Sequence, residues 1–133
     1  MMYRSILATA IVLGAATAAQ ASGDPVAGEK IFTKICRQCH LVGPDGHNFY
    51  GPTLNGIVGR PAGTVPGFDY SEANKNSGIV WTEDALKVYL REPQHNVPGT
   101  KMTFAGLKNP KDVDNVIAYL KQFGPDGKMT SGK

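Results

Sequence analysis

The chain has 133 residues, with 14 Lys and Arg against 11 Asp and Glu and a formal net charge of +3. That length fits one domain, and so mild a basic excess, without dense basic runs, excludes a general nucleic-acid binder. Sixteen glycines and nine prolines commit much of the middle to loop and leave a thin apolar core, which a large apolar cofactor wrapped by the loops would complete.

Met1 to Arg4 form a short basic start, Ile6 to Ala19 are apolar or small, and Ala19-Gln20-Ala21 has the small-x-small form of a cleavage site. Residues 1–21 therefore read as a secretory signal peptide, leaving a single domain over 22–133. A permanent anchor is the competing reading, but the apolar run of 14 residues falls short of the roughly 20 that span a bilayer. The mature protein is expected outside the cytoplasm, in the periplasm of a Gram-negative source. Cleavage removes Arg4 alone among charged residues, so 14 basic residues fall to 13 against 11 acidic ones. Dispersed lysines at that level suit a small docking face for an acidic partner.

Asp24-Pro25 opens the first predicted helix, with Asp as N-cap and Pro where its missing N–H costs nothing. Ile31, Phe32 and Ile35 share a face of that helix, which runs directly into Cys36. Leu41 to Gly67 is dense in Gly, Pro, Asn and Asp and reads as irregular loop. A short helix is expected around Ser71 to Asn76, with Gly78 near its end. Thr82 caps another, in which Leu86 and Leu90 pair at i, i+4 and which must stop before Pro93. Gln94 to Gly106 is expected to be open. Asn109-Pro110 begins the last helix, whose apolar stripe is Val113, Val116, Ile117 and Leu120. Gly124-Pro125 is expected to end it, and the tail to Lys133 to be mobile. No strand-like alternation of useful length is present, so the fold class is all-α.

Cys36-Arg37-Gln38-Cys39-His40 has the form of a c-type haem attachment site. Two thiols at this spacing add to the two haem vinyl groups, and the next histidine reaches the iron from the same side. A structural disulfide, a thioredoxin-like dithiol and half of a zinc site compete with that reading. A disulfide across so short a loop removes little unfolded-state entropy. The dithiol would need a βαβ pattern, and zinc would have to recruit His47, His95 or carboxylates. An export signal together with C-x-x-C-H favours haem c, one group per chain, bound covalently through Cys36 and Cys39 with His40 on the iron.

For the remaining axial position the candidates are Met102 and Met129, with His47 and His95 as bis-histidine alternatives. Met129 sits in a Gly, Ser and Lys tail, whereas Met102 lies in a loop stiffened by Pro98. Thioether ligation favours ferrous iron and raises the reduction potential. Two protein ligands saturate the iron, which makes electron transfer the expected function and catalysis the lesser one.

Several further segments appear in one order: Gly51-Pro52-Thr53-Leu54, Gly59-Arg60, Pro66-Gly67-Phe68-Asp69-Tyr70, Ala73-Asn74-Lys75-Asn76, Trp81, Pro98-Gly99-Thr100-Lys101-Met102 and Ala118-Tyr119-Leu120-Lys121. With the attachment motif, the chain resembles the class I cytochromes c, and among them the bacterial members most like mitochondrial cytochrome c. The resemblance implies a small cytochrome c fold in which the first and last helices cross, Gly28 and Phe32 meeting Val116 and Tyr119, with loops around one covalent haem. It also implies that the Pro52 carbonyl accepts from His40, that Tyr70 and Trp81 donate to a haem propionate whose charge Arg60 offsets, and that Asn74, Tyr89 and Thr100 form a polar network beside Met102. Taken singly, Trp81 and Tyr89 are also ordinary core aromatics and Arg60 a solvated charge. Lys34, Lys101 and Lys108 are the candidate docking lysines. Ile35 and Gln94 stand where charged members often carry lysine, so the basic ring is thin and partner steering correspondingly weak.

The expected function is that of a soluble periplasmic one-electron carrier, monomeric and not an enzyme. Its expected partners are a quinol–cytochrome c reductase complex and a terminal oxidase or photosynthetic reaction centre, with no nucleic acid and no permanent membrane anchor. The alternatives are a peroxidase-like haem enzyme, which needs Met102 to leave the iron, and a membrane-anchored cytochrome subunit of an oxidoreductase.

Overall fold

The computed structural model describes residues 23–130. The expected signal peptide lies outside the described residues. Among the described residues five α-helices follow one another: α1 (Pro25–Lys34), α2 (Glu72–Lys75), α3 (Glu83–Arg91), α4 (Pro93–Asn96) and α5 (Pro110–Leu120), with one 3-10 turn over Cys36–Gln38. Among the described residues the only β-type pairings are two isolated bridges, Pro61 with Val80 and Phe123 with Met129. The fold is all-α, as the sequence predicts.

Local chemistry sets each start. Asp24 accepts from the Val26 N–H, Ser71 from Asn74, Thr82 from Ala85 and Asn109 from Lys111, satisfying donors that a helix otherwise leaves orphaned. Proline occupies the first turn of α1, α4 and α5. At α4 that same chemistry corrects the expectation of open chain after Pro93. Glu92 leaves helical geometry with φ −149° and ψ 70°, and Pro93 then begins a new turn rather than merely ending the old one.

The packing that organises the molecule is α1 against α5. Phe32 from α1 and Val113, Val116, Ile117 and Leu120 from α5 are all buried, each contributing about 1.5–3 kcal/mol on leaving water. A Cβ on Gly28 would collide with the Asn115 carbonyl and come within 2.9 Å of Tyr119 Cβ, so only glycine permits this approach. Gly28 thus meets Tyr119, one of the two residues expected at this crossing, together with the Asn115 backbone. Phe32 meets Tyr119 with ring centroids 5.4 Å apart. Buried Asn115 also accepts the Asp24 N–H at 2.8 Å through its Oδ1, which ties the helix crossing to the start of α1.

The chain after α5 is folded back as far as Thr130, where the sequence predicts a mobile tail; residues 131–133 of that tail lie outside the described residues. The Thr130 N–H donates to the Gln122 carbonyl at 2.7 Å, and the Gly56 N–H to the Phe123 carbonyl at 3.1 Å. Backbone pairing, which side-chain polarity does not reveal, holds this segment. The loops that cross the middle converge with α3 and α5 on one cavity.

Candidate functional site

The 3-10 turn that follows α1 presents the cysteines. The Cys39 and His40 N–H groups donate to the Cys36 carbonyl at 3.0 and 2.9 Å, so thiols and imidazole leave one tight turn. The two cysteines are not joined to each other, Cys36 being part-buried and Cys39 exposed. Burial, and then the neighbouring Cys39, push the Cys36 thiol up to about 11. Dithiol oxidoreductases need the reverse, a lowered thiol pKa. Among the described residues no group of three or more His, Cys, Asp and Glu is placed to hold a metal ion, so zinc finds no further ligands there.

His40 sits with Nδ1 2.8 Å from the Pro52 carbonyl oxygen. A carbonyl only accepts, so Nδ1 carries the proton and Nε2 keeps its lone pair. Burial lowers the His40 pKa, the Pro52 bond opposes that, and the Arg60 charge adds to the lowering. The imidazole is therefore neutral and ready to ligate. Gly51 makes the approach possible, because a Cβ there would run into the His40 ring. Its N–H donates to the Cys39 carbonyl at 2.8 Å.

Cys36, Cys39, His40, Pro52, Arg60, Tyr70, Asn74, Trp81, Tyr89, Thr100 and Met102 all line a single cavity of about 600 Å³. The structure thus brings together every site residue expected from the sequence, although their segments span most of the chain. His47 and His95 are exposed and absent from the cavity wall, and Met129 is 61 % exposed at the bridge with Phe123.

Around Met102 the polar groups are ordered. The Tyr89 hydroxyl lies 3.4 Å from the Met102 Sδ and 3.5 Å from the Thr100 Oγ1, while the Met102 N–H donates to Thr100 Oγ1 at 3.3 Å. Burial raises the Tyr89 pKa, keeping the phenol a donor. Asn74 Oδ1 is buried without a partner. Arg60 donates to the Thr53 and Asn55 carbonyls at 3.1 and 3.0 Å, and burial lowers its pKa. The Tyr70 hydroxyl accepts the Val65 N–H at 3.1 Å.

Sequence reasoning missed Gln94 as a structural residue. Its Nε2 donates to the Met102 and Phe104 carbonyls at 2.8 and 2.9 Å, pinning the methionine loop from α4. The available signal was Pro93, which places Gln94 in a first helical turn. The docking lysines are also less free than expected. Lys101 pairs with Asp69 at 2.7 Å, and Lys108 donates to the Arg91 and Ala105 carbonyls; Lys34 is exposed.

The cavity has the volume of a ligand site, and much of its wall is apolar, including Ile57, Leu86, Leu90, Val116 and Leu120. Two thiols beside a neutral imidazole, a thioether and an unpartnered amide oxygen fit haem and its axial chemistry.

Comparison with known proteins agrees. The family model for cytochrome c matches residues 25–124. Cytochrome c2 of Blastochloris viridis is 49% identical over 124 residues, covering 93% of this chain and 97% of the relative. Cytochrome c2 of Rhodoblastus acidophilus is 56% identical over 106 residues, covering 80% and 98%. The solved structure of cytochrome c2 from Rhodospirillum centenum superposes with a TM-score of 0.73 at 40% identity, covering 77% of this chain and all of that one. A match of this extent in sequence and fold shows that the chain belongs to the cytochrome c family, as a class I c-type cytochrome with covalently attached haem c that transfers electrons rather than acting as an enzyme.

Proposed function

We propose that the chain is an exported, periplasmic one-electron carrier, made with a signal peptide over residues 1–21 that is cleaved from the 22–133 domain. It takes electrons from a quinol–cytochrome c reductase complex and delivers them to a terminal oxidase or a photosynthetic reaction centre. Cys36 and Cys39 form the thioether links, and His40 and Met102 are the axial ligands. The observation that carries this reading is the sharing of one cavity by His40 and Met102 with the cysteine pair, while His47, His95 and Met129 lie elsewhere.

The bound haem supplies a one-electron ferric/ferrous couple. The residues around it hold that couple in place and tune it. Pro52 fixes the His40 ring and makes it a better donor. Tyr89 donates toward the thioether, and Thr100 holds the Met102 backbone. Arg60, Tyr70 and Trp81 would meet the propionate charge, and the Asn74 amide would complete the polar side near Met102. With His40 and Met102 both holding the iron, the haem would supply electron transfer without a place for substrate to bind.

A visible spectrum tests the ligand set. The ferric protein is expected to show the weak band near the red end that reports Met–iron ligation, and Met102→Ala to lose it and gain carbon monoxide binding in the ferrous form. A Met102→Ala protein that keeps the band would refute the assignment.

A further inference from the structure

Segment 39–43 meets segment 51–55 in three steps. The Gly51 N–H donates to the Cys39 carbonyl at 2.8 Å, and the Leu54 N–H to the Leu41 carbonyl at 3.1 Å. The third step is made by a side chain. Asn55 Oδ1 accepts the Gly43 N–H at 2.9 Å, and its Nδ2 donates to the Gly43 carbonyl at 2.8 Å. One amide thus meets both backbone groups of one residue, as a neighbouring strand would. Asn55 is only 7 % exposed, and it is not part of the cavity wall.

The same residue joins two other parts of the molecule. Its own carbonyl accepts from Arg60 at 3.0 Å, and the Gly56 N–H beside it donates to the Phe123 carbonyl. The turn after α5 seats Gly127 so closely on the Gly43 carbonyl that no Cβ fits there. Between the second and third steps and the first lies Pro52, whose carbonyl holds His40.

We propose that Asn55 is a positioning residue for the iron ligand. Its amide closes the 43–55 loop so that the Pro52 carbonyl stays on His40 Nδ1 and Arg60 stays at the cavity. Its removal leaves the Gly43 N–H buried and unpaired, the costly half of losing a hydrogen bond, and takes from the Gly43 carbonyl one of two donors, the other being the Gly46 N–H at 2.9 Å. Opening of the loop then releases Pro52 while the α1–α5 crossing remains closed, since unfolding is local where pairing is local.

The inference rests on His40 being the ligand, and one experiment separates the two claims. In the ferric holoprotein, the ring N–H of an iron-bound His40 gives a strongly shifted proton resonance whose solvent exchange is measurable. Absence of any such shifted histidine resonance in the wild type would refute ligation by His40 itself. Given that resonance, Asn55→Ala is expected to speed its exchange about tenfold or more, the shift in opening equilibrium that one lost buried hydrogen bond produces. Asn55→Asp keeps the acceptor for Gly43 but not the donor, and is expected to fall between; it also serves if the alanine variant fails to take up haem. Ile117→Val weakens the α1–α5 core without touching the loop and is expected to leave the exchange rate unchanged. Unchanged exchange in the Asn55 variants, or equal acceleration in Ile117→Val, overturns the proposal.

Discussion

Gly28→Ala tests the helix crossing that positions the cysteine motif. Inside an isolated helix the change would stabilise by about 0.5–1 kcal/mol, because glycine gives up more backbone freedom than alanine. Here the added methyl would collide with the Asn115 carbonyl and press on Tyr119. The obstacle is backbone of the facing helix, not the tip of a flexible side chain, so α1 and α5 must separate. Overpacking of this kind costs about 1–3 kcal/mol, and the displacement also strains the Asn115 bond to the Asp24 N–H and the Phe32–Tyr119 contact. Collision outweighs propensity, for a net loss of about 1–2 kcal/mol. Thermal unfolding of the holoprotein should show a fall in Tm of roughly 4–8 °C per kcal/mol, with an unchanged denaturant m-value. A Tm equal to or above that of the wild type would refute the reasoning, because propensity would then have won and the crossing would be slack.

Tyr89→Phe removes the donor to the Met102 thioether. Less electron withdrawal from sulfur favours ferric iron, so the reduction potential is expected to fall, by at most about 60 mV if a whole neutral hydrogen bond is lost; voltammetry showing a rise contradicts this. Lys101 holds the Asp69 carboxyl below its ordinary pKa. The pair's contribution is therefore present above the unfolded value of about 3.9 and disappears as pH falls through the folded one. Both side chains are exposed, so the effect is small, and the Tm difference between wild type and Asp69→Asn should shrink toward zero from pH 6 to pH 3. The same variant removes the carboxylate that neutralises Lys101, although the residue 69 carbonyl still accepts from it, and stopped-flow exchange with an acidic partner should become faster at low salt with a steeper salt dependence.

Helix starts were legible because each depends on one or two residues with a fixed chemical job: Asp24-Pro25, Thr82 and Asn109-Pro110 all cap where expected, and Ser71, at the start of the expected short helix, caps α2. The composition of the cavity wall was legible through the resemblance, which carries long-range order that local patterning lacks. Other features depended on which distant backbone a side chain meets. Gln94 reads as a solvent-facing polar residue until the methionine loop folds onto it. Asn55 reads as a turn residue, and Asn115 as a polar break in an apolar stripe, until Gly43 and Asp24 arrive beside them. The segment after Gly124-Pro125 looked free because its hold is largely through main-chain groups, which all sequences share.

The thin core and the haem cavity are one feature. Ile57, Trp81, Leu86, Tyr89, Leu90, Leu107, Val116 and Leu120 belong to the buried apolar cluster and also line the cavity, so one face of the core is completed by whatever fills it. Without haem these apolar walls stay in contact with water, and apolar surface left unburied forfeits about 25 cal/mol per Å², against a stability of only about 5–15 kcal/mol for an ordinary domain. A chain unable to attach haem should therefore not keep this fold. The double variant Cys36→Ser with Cys39→Ser, produced without haem, is expected to lose its near-ultraviolet circular dichroism and its cooperative thermal transition, while α1 and α5 retain at most partial helicity. A cooperative transition with native-like spectra would mean that the loops close the core by themselves, and the architecture would then owe its stability to the α1–α5 crossing alone.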